Sequence, residues 1–175
     1  FHAWSPDVYQ GAPTPVTGFM AAGVKAAAFL ALVRFYYLIA GAMGWDLAPA
    51  LWAVAALTML VGTVVGVVQH DVKRMLAYSA IAHAGFMLIG ILAYSKAAIS
   101  ALSFYALTYG IATVGAFGII ALVRSNRDGS VGGEDGDLEA FKGLGRRSPW
   151  AAGAMTVFLL SFAGVPLTAG FMAKF

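Results

Sequence analysis

Residues 19–32 read FMAAGVKAAAFLAL, a helical apolar run interrupted by one lysine, Lys25, with nothing acidic within a turn of it. Apolar residues surround Lys25 on every side of the helix, so this is not the amphipathic pattern of a soluble helix, where polar positions recur on one face. The composition of the whole chain explains the surroundings. Hydrophobic residues make up 61% and charged residues 11% of 175, the mean hydropathy is +0.81, and a soluble domain carries about 25% charged residues. The chain reads as a membrane protein.

Outward from Lys25, five apolar stretches reach the roughly 20 residues that a helix needs to cross a bilayer. They cover residues 12–39, 47–69, 72–95, 98–124 and 149–175. None shows the period-2 alternation over about ten residues that marks a transmembrane β-barrel, so the expected fold is an all-α, polytopic transmembrane helix bundle. Gly62 and Gly66 are spaced for close helix packing in lipid, as are Gly110, Val114 and Gly118. Pro13 and Pro15 stand where a helix begins and a missing N–H does no harm. Gly41, Gly44 and Asp46 separate the first two spans, and His70 and Asp71 mark a tight turn. The chain opens at Phe1 without an initiator methionine and stops at Phe175 within an apolar run, so it reads as a piece of something longer.

Charge orients the spans. Lys73, Arg74, Arg124, Arg127, Lys142, Arg146 and Arg147 fall on one side if the helices alternate in direction, against chiefly Lys96 on the other. The positive-inside rule makes the first side, with the hydrophilic loop 125–148, cytoplasmic. The same rule accounts for the formal net charge of +3, and no basic face interleaved with aromatics points to nucleic acid. The loop glycines match neither a phosphate-binding nor a calcium-binding pattern. Without cysteine, the chain has no disulfide, no cysteine-ligated iron–sulfur cluster and no thiol nucleophile.

Depth singles out three ionisable residues. Lys25 lies about 13 residues into its span, roughly 20 Å along it, and His83 about 15 Å into the third, both near the middle of a core about 30 Å thick. Ser79 precedes His83 by one turn on the same face. Lys174 would overrun the far interface on a straight helix, but AGVPLTAG, residues 163–170, predicts a break. Pro166 lacks a donor, and Gly164 and Gly170 let the chain open, which membranes tolerate only where protein or water satisfies the freed backbone. A charged lysine at mid-membrane costs at least about 2.5 to 3.5 kcal/mol. An amine that can drop its proton escapes that cost and can pass the proton on, as arginine cannot; histidine is poised for the same task. Structural readings stand beside these: Lys25 paired with a carboxylate, His83 packed by a hydrogen bond, Lys174 reaching the interface. Lys73 and Arg74 read as inner-face anchors, Arg34 as a snorkelling residue, and Trp4, Trp45, Trp52 and Trp150 as a belt at the interfaces.

Three motifs in order carry a resemblance. FHAWSPDVYQGAPTPV (1–16), DVKRMLAYSAIAHAGFMLIG (71–90) and RRSPWAAGAMTVFLLSFAGVPLTAGFMAKF (146–175) resemble the antiporter-like membrane subunits of respiratory complex I, the proton-pumping NADH:quinone oxidoreductase, and within them the bacterial subunit N type. The resemblance implies a fragment of a larger antiporter-like subunit with a discontinuous helix. It implies proton relay by Lys25, His83 and Lys174, with Ser79, Thr108 and Tyr109 as supporting polar groups. Thr108 and Tyr109 stand where some sister subunits carry a second histidine. The resemblance further implies no cofactor in this chain, with NADH, FMN, Fe–S clusters and quinone in or with partner subunits. Implied partners are the other membrane and peripheral subunits, the lipid bilayer and protons, in a bacterial inner membrane. A subunit of a sodium/proton antiporter, or a purely structural membrane subunit, is the alternative.

Overall fold

The computed structural model describes residues 4–123 and 136–174. Residues 125–135 of the expected cytoplasmic loop, with Arg124 and Arg127, lie outside the described residues. Among those described every named element is helical, with short turns between them and one isolated antiparallel bridge, Asp71 to Asp137. Helices α1 (Ser5–Gly11) and α2 (Thr14–Phe19) are short and start on Pro6 and Pro15. A wide π-type turn, Met20–Val24, leads from α2 directly into α3 (Lys25–Val67). Then follow α4 (Val72–Leu92), α5 (Lys96–Leu122), a 3-10 turn (Leu138–Phe141), α6 (Leu144–Arg147), α7 (Pro149–Ala163) and α8 (Ala169–Lys174).

The helical stretch from Thr14 to Val67 has 54 residues. At 1.5 Å per residue it is about 80 Å long, more than twice the hydrocarbon core and long enough to pass the bilayer twice. The backbone leaves helical geometry inside α3 at Met43 (φ −127°, ψ 15°), between Gly41 and Gly44. The following helices have ordinary starts. Asp71 accepts the Arg74 N–H at 2.8 Å and Ser95 accepts the Ala98 N–H at 3.1 Å, each satisfying one of the donors that a helix start leaves without a carbonyl.

Packing is closest between α3 and α4. A Cβ at Gly62 would lie 2.6 Å from the Ala82 nitrogen, and one at Gly85 would lie 2.8 Å from the Ala55 carbonyl oxygen, so the two backbones touch where side chains are missing. Ala55 is buried at this seam, Ala77, Ala80 and Ala84 are buried elsewhere on α4, and Phe117, Ile120 and Met87 are among the largest fully buried side chains. The outer faces carry Leu38, Leu57, Leu60 and Val64, all exposed, as expected of surfaces that meet lipid rather than water. Trp45 and Trp150 are almost fully exposed.

One end of the bundle is tied by polar contacts. The Val72 N–H donates to the Gly136 carbonyl at 2.7 Å and the Leu138 N–H to the His70 carbonyl at 3.0 Å, which brings the segment after the loop onto the α3–α4 turn. Arg74 pairs with Asp7 at 2.8 Å and donates to Gln10 at 3.1 Å. Lys73 is buried rather than spread at an interface, and its amine donates to the Ala12 carbonyl at 3.2 Å, in the turn ahead of α2. At the opposite end the Tyr37 hydroxyl donates to the Ser95 carbonyl, and Tyr36, Tyr37 and Tyr94 meet through their rings.

Candidate functional site

Lys25 is the first residue after the π-type turn. A turn of that kind inserts one residue into the helical register and is most often found where a side chain must be aimed. Here it directs the amine across to α4 and α5. The Nζ donates to the Ala80 carbonyl at 2.8 Å and to the Tyr109 hydroxyl at 3.5 Å, and it lies 4.8 Å from the centre of the Tyr109 ring. On its other side a cavity of about 210 Å³ runs between Lys25, Tyr9, Ser5 and the α4 face around Ala80 and Ala84.

His83 lies one turn beyond Ala80 on α4. Its ring is 4.8 Å from that of Tyr109 and 5.8 Å from that of Phe162, centre to centre. Its Nδ1 is hydrogen-bonded to the Tyr105 hydroxyl. His83 and Ser79 line a second cavity of about 540 Å³, which Thr63, Phe86 and Lys174 also border. The cavity is mostly apolar, with Thr63, Ser79, His83 and Lys174 as its polar side chains.

Lys174 reaches this cavity because the last helix is discontinuous. α7 ends at Ala163, Gly164 turns the chain in the left-handed region (φ 75°), and α8 begins only at Ala169. The Lys174 amine folds back onto the end of α7 and donates to the carbonyls of Phe162 at 2.8 Å and Ala163 at 3.4 Å. A helix end leaves such carbonyls without N–H partners, and its dipole favours a cation there. A Cβ at Gly164 would lie 3.0 Å from the Lys174 Cδ, and one at Gly170 would collide with the Ser161 carbonyl. The Gly170 N–H instead donates to the Ser161 hydroxyl at 3.2 Å. Pro166 occupies the turn between the two helices, as the residue most tolerant of a missing donor.

The structure therefore places Lys25 against Tyr109 and Tyr109 against His83, and it sets His83, Ser79 and Lys174 around one cavity. Among the described residues neither lysine amine is paired with a carboxylate; carbonyl oxygens, a hydroxyl and aromatic faces surround them. Thr108 stands apart, its hydroxyl donating back to the Phe104 and Tyr105 carbonyls of its own helix at 3.0 and 3.1 Å. Tyr105 was not singled out from the sequence. It stands four residues before Tyr109, on the same face of α5, and that spacing is the signal that reveals it.

The whole chain, residues 1–175, matches the family described as NADH:quinone oxidoreductase/Mrp antiporter, TM. The chain is 59% identical over its full length to NADH-quinone oxidoreductase subunit N of Beutenbergia cavernae, of which it covers 33%. It is 55% identical to the protein of that name in Mycobacterium tuberculosis strain H37Rv, matching over all of this chain and 33% of that one. It thus spans about one third of the length of these curated relatives. Among solved structures, a chain of respiratory complex I from Thermus thermophilus with bound aureothin superposes with a TM-score of 0.81 at 41% identity, over 99% of this chain and 36% of that one. A chain of the membrane-bound sulfane sulfur reductase, an archaeal respiratory membrane complex, superposes with a TM-score of 0.87 at 33% identity, over 98% of this chain and 34% of that one. A bundle of membrane-spanning helices with a break beside a lysine, matched end to end in this way, belongs to the NADH:quinone oxidoreductase/Mrp antiporter transmembrane family.

Proposed function

We propose that this chain is part of a proton-translocating membrane subunit of NADH:quinone oxidoreductase and that protons pass by way of Lys25, His83 and Lys174. The observation that carries the reading is the polar arrangement itself: Lys25 meets the Tyr109 hydroxyl, the Tyr109 ring meets that of His83, His83 and Lys174 border one cavity, and among the described residues neither amine is held by a carboxylate. An amine held by neutral oxygens is free to lose and regain its proton, whereas an amine locked to a carboxylate is stabilised as a cation. Tyr109 and Ser79 supply hydroxyls, each able to donate and to accept. The energy source is electron transfer from NADH to quinone, carried by FMN and Fe–S clusters in other subunits. The high identity to subunit N sequences supports complex I over a sodium/proton antiporter.

On this reading the chain lies in a bacterial plasma membrane, with loop 125–148 on the cytoplasmic side. Residues 136–138 meet residues 70–72, which is consistent with Lys73, Arg74, Lys142, Arg146 and Arg147 sharing one face. Moving a charge against the membrane potential costs about 2.3 kcal/mol per 100 mV, so the relay works only under gating by the rest of the complex. Lys25→Ala and Lys174→Ala in the assembled complex are expected to lower proton pumping while sparing NADH oxidation by an artificial electron acceptor. Normal pumping in both variants would remove the relay assignment.

A further inference from the structure

We propose that Tyr105 is a positioning residue for His83, its phenol oxygen accepting the Nδ1–H and so leaving Nε2 as the nitrogen that takes up and releases a proton. The proposal rests on the reading of His83 as a relay group. Which imidazole nitrogen carries the proton is set by the hydrogen bond made by the other, and the structure gives Nδ1 one partner, the Tyr105 hydroxyl. A phenol can donate or accept, and in this assignment it accepts the Nδ1–H. Tyr105 is buried, and its ring is held between Phe86 at 5.6 Å and Tyr109 at 6.3 Å, the latter in a nearly parallel stack.

In the proton cycle the ring accepts a proton at the Nε2 lone pair and becomes imidazolium; release from Nε2 restores the neutral ring. The Nδ1–H bond to Tyr105 persists in both states and no other bond changes. In the charged state it is charge-assisted and stronger, so Tyr105 favours uptake of the proton in a site that two amines adjoin. These are Lys25 from α3, which reaches the Tyr109 hydroxyl, and Lys174 from α8, which borders the same cavity as His83. Tyr109 faces it from α5 and Phe162 from α7, and Ser79 shares its cavity from its own helix.

The test uses the assembled complex in inside-out vesicles, with pumping expressed per complex as counted by NADH oxidation with an artificial acceptor. Tyr105→Phe keeps the stacked ring and removes only the hydroxyl. It is expected to lower pumping about ten-fold, the usual scale for loss of a hydrogen bond to a charged group, and to move the pH optimum of pumping toward acid. In a His83→Ala background the same substitution is expected to cost nothing further, which a merely structural tyrosine would not show. The proposal is overturned if Tyr105→Phe pumps with the parental rate and pH profile, or if it causes an equal additional loss without His83. An impaired His83→Ala beside a normal Tyr105→Phe refutes the tyrosine's role alone. A normal His83→Ala refutes the relay reading and the role of Tyr105 with it.

Discussion

Replacing Lys25 by methionine separates a mechanistic lysine from a structural one, because the opposing energies at the site are of similar size. The bond to the Ala80 carbonyl at 2.8 Å contributes about 1.5 to 3 kcal/mol when the amine is charged. Its position 4.8 Å from the Tyr109 ring centre adds roughly 0.5 to 2 kcal/mol. Against these stands the cost of placing the cation at mid-membrane, about 2.5 to 3.5 kcal/mol. Methionine, of similar length and flexible, fills the same space without a charge. Lys25→Met should therefore change stability by an amount between a gain of about 1.5 kcal/mol and a loss of about 2.5 kcal/mol. The complex should still assemble, with its abundance and the thermal inactivation midpoint of NADH oxidation shifted no further than that range allows. Pumping should nevertheless fall sharply, and Lys25→Arg should fail as well, since guanidinium keeps the charge but does not release its proton. A Lys25→Met complex that assembles normally and pumps at the parental rate would refute the reasoning. So would a Lys25→Arg complex that pumps.

Other outcomes follow from the packing. Gly62→Val, at the site where a Cβ would lie 2.6 Å from a backbone nitrogen of α4, should force α3 and α4 apart at a cost of about 1 to 3 kcal/mol and reduce the yield of assembled complex on native gels. Gly164→Ala, at φ 75° and against the Lys174 side chain, should cost about 1 kcal/mol of backbone strain and lower pumping more than it lowers assembly. Asp7→Asn, which breaks a solvent-exposed ion pair with Arg74, should alter stability by less than about 1 kcal/mol, with thermal inactivation unchanged. Lys142→Cys in this cysteine-free chain should react with a membrane-impermeant maleimide in inside-out vesicles and not in intact cells; the reverse would invert the sidedness.

The helices were legible because long apolar runs have few alternatives in lipid, where a backbone must satisfy its own hydrogen bonds. The break after Ala163 was legible for the same reason, since Gly164, Val165 and Pro166 together cannot continue a helix. The geometry around the lysines was not. Nothing local announces the π-type turn before Lys25, because MAAGV is ordinary helical sequence, while the turn itself packs against α5 from far along the chain. Lys73 reads as an anchor because its burial depends on the Ala12 turn, sixty residues away in sequence. Thr108 and Tyr109 looked equivalent as neighbours, yet a helix turns about 100° per residue: Tyr109 and Tyr105 face the histidine, while Thr108 bonds its own backbone.

The discontinuity before α8 has a consequence for how Lys174 is balanced. Its counterpart is a pair of peptide carbonyls, Phe162 and Ala163, and peptide dipoles do not titrate. A carboxylate in that place would itself gain a proton as the surroundings acidify and would vanish as a partner when proton supply is highest. Peptide oxygens keep the same pull on the amine at every pH, so among the described residues the titrating neighbour that shares the Lys174 cavity is the imidazole of His83, a proton carrier and not a carboxylate counter-ion.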